Sequence, residues 1–122
     1  MAVVHLTRDT FDQTVKDTPI VVLDFWAAWC GPCRTYGPIF EAVSNKHPDI
    51  VFGKIDTDAE QELAGMFGIQ SIPSTVFFRD GIPLHLQPGL LRAADLDSLI
   101  DQVRNLDMDQ VRRDMAEPDG PA

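Results

Sequence analysis

Nothing in the 122 residues stays apolar long enough to cross a bilayer: the longest such stretch, about Ile20 to Ala28, is broken by Asp24 and falls far short of the ~20 residues a spanning helix needs. The start of the chain also lacks the basic-then-apolar layout of a secretion signal, so a cytoplasmic protein away from the membrane is expected. Positive charge is scarce. Ten Lys and Arg stand against nineteen Asp and Glu, for a net charge of −9. The only adjacent basic pair, Arg112-Arg113, has acidic neighbours. Such a surface repels a phosphate backbone, which argues against nucleic acid as a partner. Repeats and low-complexity tracts are lacking, and the three histidines (His5, His47 and His85) are scattered surface or boundary positions. No metal is expected, because a zinc site takes about four ligands and two cysteines supply half of them.

Cysteine is equally sparse, and here the scarcity is informative. The chain has two, Cys30 and Cys33, both within Trp29-Cys30-Gly31-Pro32-Cys33, directly after an apolar run from Ile20 to Trp26. A pair at i and i+3 on the first turn of a helix falls within the roughly 4.4–6.8 Å Cα separation a disulfide requires. Placing Cys30 just ahead of that helix sets it against unsatisfied backbone N–H groups and the positive end of the helix dipole, which favour thiolate. Cys33, one turn further in and aimed at the sulfur of Cys30, suits the resolving step. A structural disulfide across so small a loop would remove little unfolded-state entropy, so stabilisation is a poor reason for the pair. In a reducing compartment a lone CxxC reads as catalytic. The chemistry indicated is thiol–disulfide exchange.

Periodicity sets the organisation. At 122 residues and 44% hydrophobic the chain has material for one core. Val3-Val4 begin a strand, and Thr7 can cap a helix to about Lys16 with Phe11 and Val15 inward. Ile20 to Trp26, apolar on both faces except at Asp24, reads as a central strand covered on each side. A helix is expected from Cys30 to about Lys46, kinked by Pro38, stopped by Pro48 and buried along Ile39, Phe40 and Val43. Ile50 to Asp56 alternates as a third strand, and strand–helix–strand implies a right-handed parallel crossover. A short helix spans Glu60 to Phe67, with Gly68 beyond its end. Asp80-Gly81 signals a hairpin between Thr75–Phe78 and Pro83–Gln87, the latter an edge strand because of Pro83. Ala93 to Leu106 has Leu96, Leu99, Ile100 and Val103 on one helical face. The order βαβαββα describes an α/β fold of three layers, a central mixed sheet with helices on both faces. Residues 1–106 form this domain and 107–122 a C-terminal extension. In it Met108, Val111 and Met115 recur at helical spacing, which fits a continued last helix, a short docked helix or an acidic tail.

With WCGPC after a central strand, Asp24 on that strand, Lys54 on the next, Ile72-Pro73 before a hairpin, and Gly81 and Gly89 following, residues 3 to 106 closely resemble the thioredoxin family. Gly31-Pro32 between the cysteines is the pair typical of its reducing members, and tunes the redox chemistry there. By resemblance Asp24 lies beneath Cys33 as its proton acceptor, with Lys54 tuning it; the competing reading of Asp24 is a structural carboxylate paired with Lys54. Pro73 matches a cis-proline facing the disulfide, although only about 5–6% of X–Pro bonds in folded proteins are cis. Ile72 would pair with an extended substrate, Trp29 would anchor it, and Gly89 would flank the groove. Around Gly89 the chain departs from the family, since Pro88 removes a donor and Leu90 adds bulk. Tyr36 stands where an aliphatic residue is usual.

The resemblance implies a monomeric protein-disulfide reductase with no bound cofactor beyond the redox-active disulfide Cys30-Cys33. Electrons would come from thioredoxin reductase, a flavoprotein using NADPH, and go to disulfide-containing proteins. Two other functions compete: a redox-independent scaffold or chaperone using the same groove, and an oxidant or isomerase.

Overall fold

Strand alternation divides the apolar residues of this chain between two faces of one sheet. The computed structural model describes residues 3–116. Its elements are β1 (Val3–His5), α1 (Arg8–Asp17), β2 (Ile20–Trp26), α2 (Gly31–Ser44), β3 (Val51–Asp56), α3 (Gln61–Met66), β4 (Ser74–Arg79), β5 (Ile82–Pro88), α4 (Ala93–Arg104) and α5 (Met108–Ala116). The sheet order is β1-β3-β2-β4-β5. β1, β3 and β2 run parallel, while β4 and β5 add in antiparallel fashion.

One face of the sheet packs Ile20, Val22, Phe52 and Phe77 against Tyr36, Phe40 and Val43 of α2 and Leu96, Ile100 and Val103 of α4. The opposite face packs Val21, Leu23, Phe25 and Ile55 against Phe11 and Val15 of α1 and Leu63 of α3. β2 is thus buried on both sides, as its apolar pattern predicts, and the layered α/β architecture is the expected one, but the element order is βαβαβαββαα, one strand–helix unit and one terminal helix longer than βαβαββα. Burial of each large side chain contributes roughly 1.5–3 kcal/mol. Asp80 (φ 53°) and Gly81 (φ 80°) both adopt left-handed conformations in the β4–β5 hairpin, which the two-residue turn of that twist requires.

Helix bounds differ slightly from the periodic reading. α2 starts at Gly31 and ends at Ser44 because Cys30 serves as its N-cap and Asn45 as its C-cap. After α4 the chain does not continue as one helix; it breaks at Asn105–Leu106 and re-enters α5. Asp107 Oδ1 accepts from the N–H groups of Asp109 (3.0 Å) and Gln110 (3.2 Å), which starts the new helix. Arg79 donates to the carbonyls of Val103 (2.7 Å) and Arg104 (2.9 Å), satisfying the end of α4. Arg112 reaches back to Asp80 at 3.0 Å, tying α5 to the hairpin.

Gly53 sits where β3 passes closest to its neighbours. A Cβ there would lie 2.7 Å from Leu6 Cδ1 and 3.1 Å from Leu23 Cδ2. Gly53→Ala is therefore expected to destabilise the protein by about 1–3 kcal/mol through overpacking. Chemical denaturation with an unchanged m-value would confirm it, and an unaltered midpoint would refute it.

Candidate active site

The C-terminal end of β2 delivers the chain to the cysteines. Cys30, the N-cap of α2, receives the N–H of Cys33 on its sulfur at 3.2 Å. The two are joined as a disulfide with Cα atoms 5.3 Å apart, inside the range the i, i+3 spacing predicts. Exposure does not separate them, at 4% for Cys30 and 3% for Cys33. Position does: the first caps the helix and meets its orphan N–H groups, while the second lies on its inner face. Pro32 at the start of α2 has no N–H to leave unsatisfied. A Cβ at Gly31 would meet nothing within 4 Å, so no neighbour crowds the turn between the two cysteines.

Ile72-Pro73 is cis, which propensity alone would not have indicated. The carbonyl oxygen of Ile72 lies 3.7 Å from Cys30 Sγ. Gly89, at φ +91° where a side chain is strained, donates its N–H to the Pro73 carbonyl at 2.8 Å. Trp29 is 68% exposed and is held by an Nε1–H bond to Asp58 (3.0 Å). A groove lined by Trp29, Thr57, Ile69, Ser71 and Ile72 runs alongside. The fold therefore makes neighbours of Trp29, Cys30, Ile72, Pro73 and Gly89, with Cys30 and Pro73 buried among them. Asp58, 29 residues from Trp29, carried no signal in the sequence.

Asp24, on the strand that leads to the cysteines, has no exposed surface. It is level with Lys54 on β3 and Thr75 on β4. Neither carboxylate oxygen has a hydrogen-bond partner among the described residues. Burial pushes this carboxyl up to about 7, and the charge of Lys54 pulls it partly back. The expected alternative, a carboxylate in an ion pair with Lys54, is not what is found: no salt bridge joins them among the described residues, and Lys54 Nζ instead lies 4.9 Å from the centre of the Trp26 ring. A flexible ammonium gains from the aromatic face while staying hydrated. Lys54 thus acts on Asp24 through its field. A cleft lined by Trp26, Cys33, Arg34, Gly37 and Lys54 borders the buried Cys33.

Tyr36, also fully buried, was not recognised in the sequence as belonging to this neighbourhood. Its hydroxyl lies 2.8 Å from Thr75 Oγ1. Burial pushes its phenol far up, and the nearby Asp24 pushes it further. Among the described residues no group of His, Cys, Asp and Glu is arranged to hold a metal, and no helix is long and apolar enough to cross a membrane.

Chemically, a disulfide at a helix N-terminus beside a groove, following a strand whose buried Asp24 carboxyl is pushed up to about 7, can exchange with other disulfides. The thioredoxin family model matches residues 2–102. A Streptomyces coelicolor protein provisionally named thioredoxin 2 is 50% identical over 119 residues, covering 98% of this chain and 89% of its own. A thioredoxin of Mycoplasmoides gallisepticum is 38% identical over 97 residues, 79% of this chain and 97% of its own. Among solved structures, a mutant thioredoxin of Halobacterium salinarum superposes with a TM-score of 0.79 at 31% identity, covering 85% of this chain and 92% of its own. With the site geometry and these similarities agreeing, the chain belongs to the thioredoxin family and is a thiol–disulfide oxidoreductase that reduces protein disulfides.

Proposed function

We propose that Cys30 is the attacking sulfur and Cys33 the resolving one. The observation that carries this reading is the position of Cys30 as N-cap of α2, with the Cys33 N–H on its sulfur at 3.2 Å. In the reduced protein the Cys30 thiolate attacks one sulfur of a partner disulfide. A Cys30–partner bond forms, the partner's S–S bond breaks, and the first partner sulfur leaves as thiolate. Cys33 then gives its thiol proton to Asp24, and its thiolate attacks Cys30 Sγ. The mixed disulfide breaks, the second partner sulfur leaves as thiolate, and Cys30–Cys33 re-forms. Two electrons pass to the partner. Lys54 supports the charged form of Asp24, while Gly31 and Pro32 shape the first turn and leave the sulfurs approachable.

Trp29, Ile72, Pro73 and Gly89 hold the partner as an extended segment along the groove, in the manner of an added strand. Leu90, 49% exposed beside Gly89, enlarges the apolar rim. The reducing equivalents come from a flavoprotein thioredoxin reductase drawing on NADPH, which the family assignment supports. No cofactor other than the cysteine pair is needed. The catalytic unit is residues 1–106, with 107–122 an extension outside it, and the protein works as a cytoplasmic monomer.

The reduction potential tests the direction of transfer. Equilibration with a glutathione or dithiol buffer is expected to give a value near −270 mV, the general thioredoxin value, and a result above about −200 mV would place the protein among oxidants or isomerases instead.

A further inference from the structure

The hydroxyls of Tyr36 and Thr75 make a pair that the exchange reaction described so far does not use. Tyr36 lies on the inner face of α2, one turn beyond Cys33, and Thr75 stands opposite Asp24 in the β2–β4 ladder. Directly opposed residues of an antiparallel pair share a face, with Cβ atoms about 4.5–5.5 Å apart. The three side chains therefore meet in the layer between β2, β4 and α2. The phenol is close enough to Asp24 for the carboxylate to act on it.

Hydroxyl bookkeeping then points one way. Each hydroxyl has one proton, and the single bond between Tyr36 and Thr75 at 2.8 Å uses one of the two. Whichever donates, the other proton is left without an acceptor in the pair. Buried donors seek acceptors, and among the described residues the buried side-chain oxygens with no partner are the two of Asp24. We propose that Tyr36 donates to Thr75 and that Thr75 donates to Asp24 whenever that carboxylate is charged, making the two hydroxyls a positioning pair for the proton acceptor of Cys33. The bond to Asp24 is not formed in this structure, so the proposal requires the Thr75 hydroxyl and the carboxylate to close on each other when Asp24 ionises. Removal of both hydroxyls would take these two donors from Asp24 and leave the field of Lys54 acting on it.

The groups facing Asp24 are few. Lys54 on β3 and Thr75 on β4 stand level with it, and α2 adds Tyr36 through its bond to Thr75, with Cys33 one turn earlier on that helix. Because Lys54 belongs to the other strand neighbour and carries no hydroxyl, it can be held constant while the pair is altered. A merely structural pair would affect stability and leave the titration of Asp24 unmoved.

This inference rests on the reading of Asp24 as proton acceptor, but its first test does not. In the full-length protein, with the carboxyl carbons followed by 13C NMR, Thr75→Val is expected to raise the Asp24 midpoint by about one pH unit, because a donor to the charged form is lost. Thr75→Ser, which keeps the hydroxyl, should restore the parent midpoint. Tyr36→Phe should raise it by less, because Thr75 remains but is no longer oriented. The acid limb of mixed-disulfide resolution should move with the midpoint. If Thr75→Val and Tyr36→Phe both titrate with the parent, the proposal is overturned. Should Thr75→Val unfold because Tyr36 loses its partner, the Tyr36→Phe/Thr75→Val double variant removes both ends of the bond and carries the same expectation. Asp24→Asn separates the two readings: an acid limb that survives it refutes the proton-acceptor role, while the Asp24 midpoints still decide the fate of the hydroxyl pair.

Discussion

Cys30→Ser is expected to abolish thiol-dependent disulfide reduction, lowering turnover by at least about 10³-fold, as removal of a reacting nucleophile generally does. The reason lies in both the atom and its place. A serine hydroxyl at the N-cap would still accept the backbone N–H that Cys30 Sγ receives at 3.2 Å, so α2 should keep its cap and the protein its fold. What is lost is the thiolate, and with it any bond to a partner sulfur. Cys33→Ser should fail differently. Its Cys30 remains able to attack but no resolving sulfur follows, so a covalent Cys30–partner adduct should accumulate. Insulin reduction followed by turbidity reads the first loss. A mass increase equal to the captured chain, reversible by dithiothreitol, reads the second. If Cys30→Ser reduced insulin as fast as the parent, the nucleophile assignment and the exchange mechanism would fall together. A protein that only held partners in the groove would show no turnover in the parent either.

Asp24→Asn should stabilise the protein and slow it at the same time. Its carboxyl is raised from an ordinary 3.8 to about 7 in the fold, chiefly by burial. A folded value above the unfolded one means that the folded state holds the proton more tightly. Between those two values the folded chain binds more protons than the unfolded, so stability falls as pH rises through the window and is greatest below it. At 1.36 kcal/mol per unit, the cost of the buried charge above pH 7 is about 4 kcal/mol. Asparagine carries no charge to bury. Its gain in unfolding free energy should therefore be near zero at pH 4 and approach that figure at pH 9, a divergence that denaturation at the two pH values can measure. A gain of equal size at both would show that burial of charge is not the cause. The same substitution removes the acceptor for the Cys33 proton, and the resolving step is expected to slow on the order of 10²-fold at neutral pH, a typical worth for a positioned base. Its rate should also lack the rise around pH 7 that is expected of the parent. Resolution unchanged from pH 6 to 9 would remove Asp24 from the mechanism.

Much of this arrangement was readable from the chain. The run Ile20–Trp26 declares a two-sided buried strand, and a lone Asp24 within it marks a residue whose burial must be explained. Trp29 to Cys33 declares a helix start with a thiol at its tip. Each is a local pattern, and local patterns survive folding. What escaped was set by contacts between distant parts of the chain. Tyr36 meets Thr75 across 39 residues and Trp29 meets Asp58 across 29, and neither partner is distinctive in its own neighbourhood. The preference of Lys54 for the Trp26 ring over Asp24 depends on a competition between hydration and attraction that strand alternation does not decide. The cis form of Ile72-Pro73 was legible through family resemblance and not through proline's own bias. The break between α4 and α5 depends on Arg79, which caps α4 from a strand 24 residues earlier.

The clasp of Arg112 on Asp80 places α5 beside the hairpin tip, at the end of β4 that pairs with Ile20. The cysteines follow the other end of β2, beyond Trp26. Seven residues of strand put about 20 Å between those poles. A tether attached beyond α5 would therefore hold the molecule by its blunt pole, with Trp29 and the sulfurs facing away from the support. Immobilised on a bead or fused to a carrier in that orientation, the protein should present its reactive end to large folded clients as freely as it does in solution.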